Sequence, residues 1–140
     1  MTQADFSIQD HIEYMILLNA AEAEEPFFQL IYDIARQNSS YRIHQIYQMA
    51  TEKLEKLLQR ELLKIVLIHY HRWDDAVRTE HLTIEQALSL LHQPELWDRA
   101  AEMNDGVYRM WTTELGRSLI DKYESEHEPV MMKSDCASGE

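Results

Sequence analysis

Apolar residues recur at helical spacing through the first sixty positions and then change period. In HIEYMILLNAAEAEE, Ile12, Met15, Ile16 and Leu18 precede helix-favouring alanines and glutamates, which predicts a helix over residues 7–24. Pro26 suits the first turn of a second helix, where its missing N–H costs nothing, and Phe27, Leu30, Ile31 and Ile34 form one apolar face. The polar run RQNSS ends it. A third helical stretch follows Ser40, with a stripe of Ile43, Tyr47, Ala50, Leu54, Leu57 and Leu58. With no Gly or Pro near Ala50 and Thr51, residues 41–63 read equally well as one helix or two.

After Leu63 the pattern becomes that of a strand. KIVLIHYHRW is rich in β-branched and aromatic residues, and residues 64–73 put Ile65, Leu67, His69, His71 and Trp73 on one side. DDAVRTEH then reads as a polar connection. Thr83 and Gln86 fit a capping box, predicting a short helix over residues 84–92, and Pro94 starts another that runs to residue 102. Asn104-Asp105-Gly106 supplies turn chemistry before a second strand over residues 107–112. Thr113 is placed to cap a closing helix with apolar Leu115, Leu119, Ile120 and Tyr123. Gly116 lies in its first turn and weakens it relative to alanine without breaking it. The expected fold is mainly α with a small two-stranded β-hairpin.

Composition narrows the class. A chain of 140 residues buries one sizeable core, and 3 Gly and 3 Pro are too few for the turns of an all-β sandwich. One domain over residues 1–123 is expected, followed by a mobile tail over residues 124–140. No apolar run approaches the ~18 residues of a membrane span, and the first segment lacks a secretory signal, so a cytoplasmic location and no membrane partner are expected. The single cysteine, Cys136, falls in the polar tail, where it has no partner for a disulfide or a cysteine-based zinc site.

Charge is unevenly distributed. The net charge is −12, yet residues 41–73 carry six bases and three acids, whereas residues 74–106 carry eight acids and two bases. The one basic segment is flanked by acidic ones.

Two short stretches carry a family resemblance: Leu57-Leu58-Gln59-Arg60-Glu61-Leu62-Leu63-Lys64-Ile65, a leucine-rich helix end running into a strand, and Thr113-x-x-Gly116-Arg117-x-Leu119-Ile120, where the returning strand enters a closing helix. In these and in element order the chain resembles a winged helix-turn-helix domain. The resemblance implies an N-terminal helix over residues 1–25 and a winged-helix-like core made of residues 26–73 and 107–123. Residues 74–106 become an acidic helical insertion between the two wing strands. It also implies a reading helix within residues 41–56, with Arg42, His44, Gln45, Gln48, Lys53 and Lys56 as base or phosphate contacts, and a homodimer that presents two such helices. The acidic insertion and the net charge oppose DNA binding, which depends on neutralising phosphates.

Recognisable catalytic chemistry is sparse. His69 and His71, followed by Asp74 and Asp75, are the most site-like cluster, since alternate strand positions bring two imidazoles to one face. No HExxH or second ligand pattern accompanies them, and packing or polar surface is the plainer reading. There is no Gly-x-Ser-x-Gly elbow and no glycine-rich phosphate loop, so a non-enzymatic protein without cofactor or metal is expected. Trp73, Trp97 and Trp111, like Met103 and Met110, read as core before they read as binding anchors. The leading functional expectation is therefore a small acidic protein-binding module, of the kind that neutralises a basic toxin such as a nuclease. Its proposed face comprises Asp74, Asp75, Glu80, Glu85, Glu95, Asp98, Glu102 and Asp105. In size and charge such a protein is similar to bacterial immunity proteins. The second expectation is a winged-helix transcription regulator.

Overall fold

A computed structural model describes residues 7–139, apart from residues 24, 72, 73 and 104 and the side chains of residues 71–77, 103 and 128–139. Three helices come first: α1 (His11–Glu22), α2 (Phe27–Gln37) and α3 (Ile43–Gln59). Asp10 caps α1 by accepting a hydrogen bond from the Glu13 amide at 2.9 Å, and Pro26 stands just ahead of α2. The third stretch is one continuous helix of 17 residues, which answers the question its sequence left open. Next come β1 (Leu63–His71), β2 (Asp74–His81), α4 (Ile84–Leu90), two 3-10 turns, β3 (Gly106–Thr112) and α5 (Glu114–Gly139).

The molecule is thus mainly helical around a three-stranded antiparallel sheet of order β2-β1-β3. Ile65 pairs with Met110 and Ile68 with Val107 across β1 and β3, while Ile68 faces Thr79 of β2. Strand alternation divides the sheet into two faces. Leu63, Ile65 and Met110 join the main core with Leu17, Phe27, Ile34, Ala50, Leu54 and Leu57 from the helices. Val66, Ile68 and Val107 form a small second cluster against Trp111 on the other face.

α1 is tied to α3 by charge as well as by packing. Glu13 is fully buried, and its Oε2 lies 2.9 Å from Arg60 Nη1; Lys53 pairs with Asp10 at the helix start. A buried carboxylate requires such a partner, because an unpaired charge there costs several kcal/mol.

The structure departs from expectation in four places. Residues 74–81, expected as a polar connection, form the edge strand β2. β1 needs hydrogen-bond partners on both sides, and a charged, threonine- and valine-containing segment suits an edge strand. The hairpin is therefore β1 with β2, and β3 makes the sheet three-stranded; only the latter part of the insertion over residues 74–106 is helical. Residues 94–103 form two short 3-10 helices, Pro94–Trp97 and Arg99–Met103, because Asp98 between them is extended. The buried stripe of α3 begins at Ile46, leaving Ile43 and Tyr47 exposed. α5 continues beyond Tyr123 to residue 139. The expected mobility of the tail and the setting of Cys136 fall on side chains largely outside the described residues.

Candidate functional site

A groove of about 710 Å³, lined mainly by apolar side chains, lies between α2, α3 and the segment of residues 91–99. α2 creates one wall because it is apolar on two faces. Phe27, Leu30, Ile31 and Ile34 point inward, while Phe28, Tyr32 and Ala35, at i, i+4 and i+7, share the adjacent stripe. α3 contributes Ile43 and Tyr47, the first turn of its stripe, which runs past the end of the core. Ile43 is 62% exposed and Tyr32 is 54% exposed.

A buried tryptophan makes the floor rigid. Trp97 donates its indole N–H to the Leu91 carbonyl at 3.0 Å and meets Phe27 and Tyr47 edge-on, with ring centroids 5.6 and 6.0 Å away. Phe28 and Tyr32 are also edge-to-face. The Arg99 guanidinium lies 5.0 Å from the Phe28 ring centroid, within cation–π range. His92, which lines the groove, pairs with Glu55 at 3.0 Å, and elsewhere on α2 Arg36 pairs with Asp33 at 3.3 Å. Burial, with the nearby Asp33 carboxylate second, pushes the Glu25 carboxyl above its ordinary range.

The acidic residues singled out in the sequence are carried by several elements. Asp98 lines the groove, and Glu95 is on the 3-10 turn that carries Pro94 and Trp97. Glu80 is on the sheet, where a hydrogen bond from His69 at 2.8 Å holds its carboxyl below the usual range. Glu102 pairs with Arg109, whose Nη1 is 2.9 Å from Glu102 Oε2. Glu85 and Asp105 are exposed, in the first turn of α4 and just before β3. The side chains of Asp74 and Asp75 lie outside the described residues, as do those of His71, Trp73 and Met103. Among the described residues no group of three His, Cys, Asp or Glu is close enough to hold a metal.

The candidate DNA-contacting residues are also mixed in setting. Arg42, His44, Gln48 and Lys56 are exposed. Lys53 is bound to Asp10, and the Gln45 side chain accepts from the Arg42 amide at 2.8 Å as part of the α3 cap.

Sequence reasoning missed the groove, although it left a trace. Six of the first eight residues of α2, Phe27, Phe28, Leu30, Ile31, Tyr32 and Ile34, are apolar or aromatic, more than one buried stripe accommodates. Comparison of the chain with protein-family models, curated proteins and solved structures finds no match.

Proposed function

We propose that this protein is a non-catalytic binding module that inhibits a basic protein partner, as an immunity protein does, and that the groove between α2 and α3 is its anchoring surface. The exposed Tyr32, Ile43 and Tyr47 over a rigid aromatic floor carry this reading. Fully burying an aliphatic or aromatic side chain contributes about 1.5–3 kcal/mol, so covering these residues supplies a short-range driving force. Aromatics add large contact area at low entropic cost. The net charge of −12 supplies the long-range selection, attracting basic surfaces and repelling acidic ones.

A regulator reading draws on the order helix, turn, helix and hairpin formed by α2, α3, β1 and β2, the order of a winged domain. It is the weaker reading because Asp10 already engages Lys53 and the charge of the whole chain repels phosphates.

Affinity capture from the native host, followed by titration with the recovered protein, tests the first reading. A basic partner should be recovered, and Ile43→Asp should weaken it by roughly tenfold or more without changing the circular dichroism spectrum. Partner affinity indifferent to Ile43→Asp, or salt-sensitive binding of a mixed-sequence DNA duplex that Arg42→Glu removes, would decide against it.

A further inference from the structure

The groove has a shape and an electrostatic setting that specify what enters it. Both long walls are helices whose backbone groups are internally hydrogen-bonded, so an extended segment would find no strand edge to join. The apolar side chains instead form two converging helical stripes, Phe28, Tyr32 and Ala35 on one side and Ile43 and Tyr47 on the other. Side chains of a third helix pack naturally into such a two-helix groove. The α2 stripe from Phe28 to Ala35 covers seven residue steps, or roughly 10 Å at about 1.5 Å per step, which matches two turns.

Charge selects among possible helices. A second copy of this chain would bring another net charge of −12 to the same place, and nucleic acid would bring phosphates. Asp98 lines the groove, with Glu95 on the same wall segment and Glu55 paired to the lining residue His92. Of the nearby arginines, Arg36 is paired with Asp33 and Arg99 lies over Phe28. The exposed Tyr32 and Tyr47 rings present further negative π-faces to a cation.

We infer that the groove receives a two-turn amphipathic helix of a basic partner. Aliphatic anchors at i, i+3 or i+4, and i+7 enter between Tyr32, Ile43 and Tyr47, and flanking Lys or Arg side chains meet Glu95, Asp98 and the tyrosine faces. This inference rests on the groove being the docking surface of the preceding section.

Two helix-stabilised peptides test it, identical in their leucine anchors and flanked either by arginines or by glutamates. The arginine peptide should bind roughly tenfold or more tightly than the glutamate peptide at low salt. It should shift the amide and methyl NMR signals of Tyr32, Ile43 and Tyr47 in the unaltered protein. Tyr32→Ala and Ile43→Ser should each weaken binding by about tenfold, and Glu95→Gln with Asp98→Asn should reduce the preference for the arginine peptide. Equal or tighter binding of the glutamate peptide overturns the inference, as do shifts located away from the groove. Self-association detected by sedimentation and abolished by Ile43→Asp also overturns it, assigning the groove to a second copy. If neither peptide binds while capture of the native partner still depends on Ile43, the helical occupant is rejected and the docking surface stands. If native-partner affinity also ignores Ile43, the docking surface falls with it.

Discussion

At the scale of single residues, the Thr113-x-x-Gly116 element acts as a junction between the end of α3 and the start of α5. Thr113 donates its hydroxyl to the Glu61 carbonyl at 2.7 Å and its amide to the Leu62 carbonyl at 3.1 Å, and its hydroxyl oxygen accepts from the Gly116 amide at 3.1 Å. Glu61, at φ 58°, holds the left-handed conformation that turns the chain from α3 toward β1. A Cβ on Gly116 would stand 2.3 Å from the Leu62 oxygen and 2.6 Å from Thr112 Cγ2. Helix propensity alone favours alanine there, but close approach to backbone reverses the sign. Gly116→Ala should therefore destabilise the fold by about 3 kcal/mol, the upper end of the usual overpacking cost, seen as a lower urea midpoint. An unchanged or higher midpoint would mean that the junction has room to move. The close approach at Gly116 is thus a constraint on packing.

At the scale of elements, what was legible depended on whether local chemistry or long-range pairing decided the outcome. The Thr83–Gln86 capping box formed with both hydrogen bonds, at 2.9 and 3.1 Å, because all its participants lie within four residues. β2 was not legible, since Asp74-Asp75-Ala76-Val77-Arg78-Thr79 has little intrinsic strand character and is held by the free side of β1. The exposure of the start of α3 is not legible for a related reason. Ile43 and Tyr47 continue the stripe of Ala50 and Leu54, and only the placement of α2 and residues 91–99 leaves them uncovered. The candidate site was illegible because it is made of what the core does not cover. Contact between α1 and α5 is another long-range feature: Tyr14 stacks on Tyr123 at a centroid distance of 4.6 Å and donates to Glu124 Oε2 at 2.9 Å. Burial first, then the hydrogen bond and charge of Glu124, push the Tyr14 hydroxyl up to about 12. An unfolded tyrosine titrates near 10, so this contact contributes its stability below about pH 10 and loses it as pH rises through about 12. Tyrosinate absorbance should show one late-titrating group that disappears in Tyr14→Phe, and Glu124→Gln should move it back toward the ordinary value. Loss of a group titrating at about 10, rather than of a late one, on Tyr14→Phe would dissociate α5 from α1 in solution.

At the scale of the whole molecule, the same net charge of −12 acts in opposite directions on folding and on binding. Excess like charge raises the free energy of the compact chain, and salt screens it over about 10 Å at 0.1 M. The Glu13–Arg60 pair, which anchors α1, is buried and little affected by that screening, so the surface repulsion dominates the response. Attraction between the acidic surface and a basic partner is screened by the same ions, and it weakens. Raising salt from roughly 10 to 150 mM, about a fourfold shortening of the screening length, should therefore raise the urea midpoint while lowering partner affinity. The loss of affinity should appear mainly in the association rate, since steering acts before contact, whereas Ile43→Asp should appear mainly in the dissociation rate. Stopped-flow mixing with the captured partner separates the two. A salt effect confined to dissociation would place charged groups inside the interface. An affinity that rises with salt would indicate purely apolar docking, in which the acidic surface serves solubility and leaves the groove to select the partner by shape.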